Sequence, residues 1–478
     1  MITADEMAVV DENAAALGVP RKQLMESSGN AVARAVRERT EPGDTVAVVA
    51  GRGNNGGDGM VAARFLSDRE ASVHLLGRAE TLTTDITREN WAALRRVEAD
   101  AREVRDSRDL SLGNPDFVVD AMLGTGVTGE PREPEHTAVE AVNRSAATVV
   151  SVDVPSGVDA DTGEAAGVAV DADHVVTFHD TKPGLADLDC EVTVADIGIP
   201  ATAELFVERG DLRRLERTPT AHKGDHGRVL VVGGGPYTGA PALSAQAALR
   251  AGADLAHVLA PEAVAREIQG YSADLIVHSF PGERLTRDHA DRAADLAEDA
   301  DALVLGPGLG DHRETLAAVE DLLLSATGVC VLDADALRVV ADAGRAENLS
   351  LICTPHAGEF RRMGGDPPAA DDWRGRMAAV ADRAAELDCT VLLKGPYDVV
   401  SDGERTRVNR SGTPAMTVGG TGDVLAGATG AVACRLDPVD AAAVAARVNG
   451  LAGEAAVEGR ATITATDLLE RLPGSMSP

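Results

Sequence analysis

Short apolar segments bounded by glycine alternate with helical patterns in two successive series along this chain. In the first series TVAVVA (45–50) lies between Gly43 and Gly51, and SVHLL (72–76), DFVVDAML (116–123) and ATVVSVDVP (147–155) follow, with helices expected over 58–68 and 135–145. The second series runs through RVLVVGGG (228–235), ADALVLGPGLG (300–310), GVCVLDADAL (328–337), LSLICTPHAGEF (349–360) and TVLLKGPYDVV (390–400), with helices over 242–252 and 421–435. Segments this apolar need cover on both faces, and helices between them supply it, so each series predicts a doubly wound α/β sheet with parallel strands. Ahead of the first strand, Thr3 and Glu6 form a capping box opening a helix over 3–16, and a second helical pattern runs from Gln23 to Arg39. The segment 204–220, charged and poor in hydrophobes, separates the series, so domains are expected over 1–210 and 211–478.

Composition narrows the class. The 478 residues are 44% hydrophobic and 26% charged, enough for sizeable cores. No apolar run reaches spanning length, and the first residues carry acids where a secretory peptide carries cations. Five widely spaced cysteines without a CxxC argue against a disulfide framework or zinc site. A cytoplasmic enzyme, assembled as a homo-oligomer, is expected. The net charge of −32 disfavours nucleic acid or an anionic membrane as a partner. Only four of the 45 basic residues are lysine (Lys22, Lys182, Lys223 and Lys394), a balance that fits the salt-rich cytosol of a halophilic archaeon. Where arginine has replaced lysine so widely, a surviving lysine marks a place that needs a compact ammonium.

In the first series, Gly51-Arg-Gly53-Asn54-Asn55-Gly56 follows a strand directly and satisfies GxGxxG, which lets backbone amides approach a phosphate. The acidic ribose ligand of a plain NAD dehydrogenase is missing where the second strand ends, at Leu76-Gly77-Arg78. Asp58 is either a helix N-cap or a site group. Asp120 and Asp153 stand at two further strand ends, where ligands of such sheets gather. NNGGDG (54–59), VVDAMLGTGVTGE (118–130), SVDVPSGVDADTG (151–163), TFHDTKPGL (177–185) and ADIGIP (195–200) resemble the Rossmann-like epimerase domain of NAD(P)H-hydrate repair enzymes. MAVVDENAAALGVPRKQLMESSG (7–29) does too. The resemblance implies potassium coordination by Asn55, Asp120 and Ser156. It implies hydrate binding by Asn54, Asn55, Gly56, Gly57 and Asp58, by the loop Gly124, Thr125, Gly126, Val127, Thr128, Gly129 and Glu130, and by Asp153. Asp153 is then the proton carrier at C6 of the hydrate, with Lys182 assisting unless it is a solvated loop residue.

In the second series, Gly419-Gly420-Thr421-Gly422-Asp423 opens a helix, forming a nest of amide donors for phosphate. Asp423, at the helix start, is expected to stay ionised and to take a proton from an attacking hydroxyl. No GxxxxGK[ST] is present. The run resembles the signature of ribokinase-like kinases. HKGDHGRVLVVGGGPYTGAP (222–241), LGPGLG (305–310), TPHAGEF (354–360), LLKGP (392–396) and NRSGTPAMTVGGTGD (409–423) are similar to the ADP- or ATP-dependent NAD(P)H-hydrate dehydratase domain. By that resemblance Asp423 is the base and Gly422 an amide donor to the nucleotide. Lys394, Gly395, Pro396, Tyr397 and Asp398 bind the adenine nucleotide, Asp398 standing where many relatives carry threonine. Ala240, Gly308, His356 and Asp423 line the hydrate pocket, with magnesium accompanying ADP or ATP. Asp333 and Asp335 either bind magnesium or cap the next helix, and Lys223 either contacts phosphate or lies in a solvated hinge. The chain is thus expected to interconvert the R and S forms of hydrated NADH and NADPH and to dehydrate the S form, with ADP favoured as phosphoryl donor. A ribokinase-like small-alcohol or vitamin-precursor kinase is the alternative, and it leaves Asn54–Asp58, Asp120 and Asp153 without a role.

Overall fold

The computed structural model describes residues 1–127 and 129–477, which fall into two compact units, Met1–Ala203 and Glu204–Pro478. The break precedes the 210/211 division expected from charge. The physical reason is that Phe206, Val207, Leu212 and Leu215 are buried in the second unit, while Glu208 and Asp211 pair with Arg410, Arg447 and Arg407. A segment read as hydrophobe-poor therefore anchors that unit's core.

The first unit contains seven strands, β1 (Thr45–Ala50), β2 (Glu70–Leu76), β3 (Asp100–Val104), β4 (Phe117–Ala121), β5 (Thr148–Val152), β6 (His174–Phe178) and β7 (Glu191–Ala195). They form one parallel sheet in the order β3-β2-β1-β4-β5-β6-β7. The order reverses direction between β1 and β4, the place where open sheets of this kind bind ligands. The capping box of Thr3 and Glu6 forms, and the helix it opens is Ala4–Ala16. A second helix, Arg21–Arg37, packs its Leu24, Val32 and Val36 into the core against the helix that follows β1 and against β6.

The second unit adds β8 (Arg228–Val232), β9 (Leu255–Pro261), β10 (Ile276–Phe280), β11 (Ala302–Leu305), β12 (Gly328–Leu332), β13 (Leu349–Cys353), β14 (Thr390–Leu393), β15 (Asp398–Ser401) and β16 (Thr406–Asn409). The sheet order is β10-β9-β8-β11-β12-β13-β14-β15-β16, parallel as far as β14 and antiparallel across the last two pairs. TVLLKGPYDVV is thus two strands and a turn rather than one strand, because Gly395-Pro396 cannot continue the ladder. The helix Thr421–Ala433 is built almost wholly of alanine, glycine and valine, and all ten of its residues from Val424 to Ala433 are buried. It crosses the helix Gly239–Arg250 so closely that a Cβ on Gly427 would lie 1.9 Å from the carbonyl oxygen of Ser244. Small side chains, not large ones, bring these backbones together, in keeping with an aromatic content of 2%. No helix among the described residues is long and apolar enough to cross a membrane.

Candidate active sites

The first site is a cavity of about 590 Å³ at the carboxyl ends of β1, β4 and β5. The helix after β1 begins at Asn54, four residues ahead of the expected start, with Gly53 as its N-cap. Asp58 therefore stands inside the helix and caps nothing. Arg52, Gly53, Asn54, Asn55 and Asp58 line the cavity from this side, and Gly124, Thr125, Gly126 and Val127 from the loop after β4. Gly56 and Gly57 lie behind the wall instead. A Cβ on Gly56 would meet the Gly51 carbonyl at 2.0 Å and one on Gly57 the Met25 side chain at 2.8 Å, so both serve the approach of helix to strand and neighbour. Gly129 and Glu130 lie past the cavity wall, with Glu130 against Gly167, and Thr128 falls outside the described residues.

Asn55, Asp120 and Ser156 come together around Leu123. The Asn55 amide nitrogen donates to the Leu123 carbonyl at 2.9 Å, and the Ser156 hydroxyl accepts from the Leu123 amide at 2.9 Å and donates to Asp120 at 2.5 Å. Asp120 is fully buried and accepts further bonds from Met122 N (3.2 Å), Ser151 Oγ (2.8 Å) and Ser156 N (2.8 Å). No basic side chain pairs with it among the described residues, and burial raises its carboxyl above the usual range. A buried carboxylate beside carbonyl, carboxamide and hydroxyl oxygens, with no protein counter-charge, is a donor set that suits a hard alkali cation.

Asp153 leaves β5 in a left-handed conformation (φ 68°), an uncommon one for a side chain larger than glycine's and one that clusters at functional sites. Its carboxylate accepts from Thr177 Oγ1 at 3.0 Å and lies 3.3 Å from Lys182 Nζ. Lys182 has no exposed surface. Its ammonium also donates to the Phe178 and Asp180 carbonyls at 2.8 and 3.1 Å, so it is no solvated loop residue. Asp11, absent from the sequence-based set, lines the same cavity, its carboxyl pushed up to about 6 by burial against the opposing pull of Arg21. A signal for it existed. Met7, Val10 and Ala14 are among the buried residues of the first helix, and Asp11, four residues after Met7 and three before Ala14, falls on the same face.

In the second unit Asp423 is the third residue of its helix. Burial and repulsion from Asp333 push its carboxyl up to about 7, against the pull of Lys394, so it is not the permanently ionised group expected from the helix dipole alone. Lys394, at the end of β14, sets its ammonium 2.9 Å from Asp333, which also accepts from Thr354 at 2.8 Å. Asp333 does not cap the next helical turn with its side chain, and Asp335 pairs with Arg338 at 3.3 Å. Gly422 sits beside this group, its Cβ position 3.2 Å from Lys394 Nζ. In the turn after β14, Asp398 accepts from Gly395 N and Asn409 Nδ2, both at 3.0 Å, so the residue in the threonine position fastens the turn from within. Tyr397 stacks on Trp373 with ring centroids 5.9 Å apart. Asn409 opens the NRSGTPAMTVGGTGD string but was given no role from sequence, and Trp373 carried no motif.

His356 caps the helix Ala357–Arg362, its Nδ1 accepting the Gly358 amide at 2.9 Å while Nε2 lies 3.3 Å from Glu359. Gly308 packs against the Tyr237 carbonyl, and Ala240 is the second residue of the helix Gly239–Arg250. A cavity of about 700 Å³ is lined by Tyr237, Arg284, Gly310 and Asp335 among others, and none of the four residues expected to line the hydrate pocket, Ala240, Gly308, His356 and Asp423, stands in its wall. Lys223 is exposed in the loop before β8.

Two family models match, NAD(P)H-hydrate dehydratase over residues 229–474 and YjeF-related protein N-terminus over 21–184. The bifunctional NAD(P)H-hydrate repair enzyme of Pyrobaculum aerophilum is 47% identical, covering 99% of this chain and 97% of its own. The chain belongs to the bifunctional NAD(P)H-hydrate repair enzymes. The relative in Methanothermobacter thermautotrophicus, with the same description, is 44% identical over 99% of this chain and 95% of its own. Among solved structures, the ADP/ATP-dependent NAD(P)H-hydrate dehydratase of Bacillus subtilis, co-crystallised with ATP and magnesium, is 29% identical. It covers 57% of this chain and 98% of its own with a TM-score of 0.50. The second unit is therefore ribokinase-like and the first Rossmann-like, and both expected halves of the repair family are present in one polypeptide.

Proposed function

We propose that the chain repairs hydrated nicotinamide coenzymes in two steps. The first unit interconverts the R and S hydrates of NADH and NADPH, and the second dehydrates the S hydrate at the expense of ADP or ATP. What carries the reading is that each unit holds a lysine–aspartate ion pair at the carboxyl end of its sheet, Lys182 with Asp153 and Lys394 with Asp333, the second beside Asp423. These are two of only four lysines in the chain.

In the first site Asn54 and Asn55 hold the hydrate's polar edge, the loop 124–127 lies over it, and Asp153 exchanges a proton at C6, with Lys182 holding its carboxylate in place from 3.3 Å. Potassium held by Asn55, Asp120, Ser156 and the Leu123 carbonyl would supply fixed positive charge at the floor of the cavity. In the second site the amide of Gly422 and the ammonium of Lys394 meet the nucleotide's phosphates, and Asp423 accepts the proton of the hydrate hydroxyl as it attacks. Magnesium, which Asp333 would help hold, would supply charge neutralisation at those phosphates. Loss of the phosphate then restores the dihydropyridine. Asp423 suits this role because a base poised near neutral pH both accepts and returns a proton readily.

The test is incubation of the intact protein with mixed R and S NADH hydrate, magnesium, potassium and either ADP or ATP, following recovery of reduced-nicotinamide absorbance. Full conversion is expected. Conversion of the S form alone would remove the assignment of the first unit, and no conversion would remove both.

A further inference from the structure

Two buried carboxylates of the first unit are treated in opposite ways by their surroundings. Asp120 receives four hydrogen bonds. Asp58, 9% exposed and lining the cavity, accepts a hydrogen bond from no described residue. A structural aspartate at such a depth is normally given donors, because an ionised carboxylate without them is costly to bury. Asp58 is left without any and faces the same space as Asp153, whose carboxylate is held by Lys182 and Thr177.

We infer that Asp58 is the general acid of the epimerisation, a protonated carboxyl acting across the hydrate from the Asp153–Lys182 base. Asp58 rides on the helix that leaves β1 and Asp153 ends β5, with β4 between, so the two carboxyls enter the same cavity from different elements, near enough for the charge of Asp153 to act on Asp58. Inverting a carbon that bears hydroxyl and ring nitrogen needs a proton given on one face and taken on the other.

The step balances without any further reagent. The Asp58 proton passes to the C6 hydroxyl oxygen, and the C6–O bond breaks with its electron pair leaving on water. The N1 lone pair forms a C6=N1 double bond, a cation that the surrounding carboxylates favour. Water then adds to C6 from the other face, the π pair returns to nitrogen, and Asp153 takes the released proton. Asp58 ends ionised and Asp153 protonated, which is the state that runs the reaction from the opposite epimer.

The charged groups around Asp58 decide when it holds its proton. Burial first, then Asp153 and Asp11 on the first helix, raise its carboxyl well above the usual range. Arg21, Lys182 and His179 act on Asp11, and Arg52 and Glu135, paired at 3.6 Å, stand on the cavity wall.

The inference rests on hydrate binding in this cavity, so binding and turnover are measured separately on the intact protein with purified R NADPH hydrate. Asp58→Asn keeps the shape of the protonated acid without a proton to give. Its dissociation constant for the R hydrate is expected to stay within threefold of wild type while kcat falls at least about 100-fold and the alkaline limb of the pH profile disappears. Asp11→Asn, which removes one repulsion raising Asp58, is expected to move that limb to lower pH. A kcat for Asp58→Asn within threefold of wild type, or an alkaline limb that stays in place in Asp11→Asn, overturns the assignment of Asp58 alone. Wild-type protein that fails to bind the R hydrate overturns the reading of the whole cavity as well.

Discussion

Replacing Asp423 by asparagine is expected to abolish dehydration and, at the same time, to stabilise the second unit by an amount that grows with pH. The native carboxyl titrates at about 7, against 3.8 for the same group in an open chain, because it is buried and faces Asp333. Between those values the unfolded chain has released a proton that the native state still holds, so stability falls as pH rises. At 1.36 kcal/mol per unit the native state is penalised by about 1.6 kcal/mol at pH 5 and by about 4 kcal/mol at pH 8, where both forms are ionised. A carboxamide escapes that penalty while keeping the shape of the neutral acid. Guanidinium unfolding of wild type and Asp423→Asn, followed in the transition of the second unit at pH 5 and pH 8, measures it directly. The gain should be about 4 kcal/mol at pH 8 and less than half of that at pH 5. A gain that does not grow with pH, or a variant less stable than wild type at pH 8, would refute the electrostatic account. The companion kinetic expectation is a wild-type dehydration rate that rises about tenfold per pH unit below 7 and then levels, as the base loses its proton.

Other consequences are as concrete. Lys182→Met strands the Asp153 carboxylate without its ammonium 3.3 Å away, so epimerisation should fall at least about 100-fold and stability by about 3 kcal/mol, while dehydration of purified S hydrate persists; parallel rate assays and thermal unfolding check it. Gly427→Ala drives a methyl into the Ser244 carbonyl and forces the two central helices apart, so thermal unfolding should show a loss of up to about 3 kcal/mol, with dehydration impaired because Asp423 moves with its helix. Asn409→Ala removes the 3.0 Å donor that fastens Asp398, so the KM for the nucleotide should rise about tenfold with little change in kcat, read from initial rates against ADP or ATP.

The core strands were legible because their patterns are local. Thr45–Ala50 is β1 residue for residue, and β4, β5, β8, β11, β12 and β13 lie within the apolar runs that announced them. The outer strands were not. β3 (DAREV) and β7 (EVTVA) are edges with one side open to water, and their charged residues hide the strand period. β10 and β16, at the edges of the second sheet, were missed as well, and so were two interior strands, β6 (HVVTF) and β9 (LAHVLAP), short apolar runs that each carry a histidine. At the sites, the motif residues Asn54, Asn55, Asp153, Lys182, Lys394 and Asp423 were readable because glycine-rich turns at strand ends are sequence-local devices. Asp11 carried only the faint signal of sharing a helix face with Met7, Val10 and Ala14; a carboxylate on a helix is usually solvated, and the fold shows that this one faces a cavity.

Alternating apolar runs, turn glycines and the few retained lysines determined by themselves that there would be two parallel sheets, with chemistry at their carboxyl ends. Tertiary structure alone decided which charges meet there. Asp58 became a helix-interior carboxyl without donors, Asp120 one with four, and Asp423 a buried carboxyl pushed up to about 7. The physical reason is range. Backbone pattern is set by neighbours a few residues apart, whereas the protonation of a buried carboxyl depends on desolvation and on charges such as Asp333 and Lys394, brought beside Asp423 only when the sheet closes.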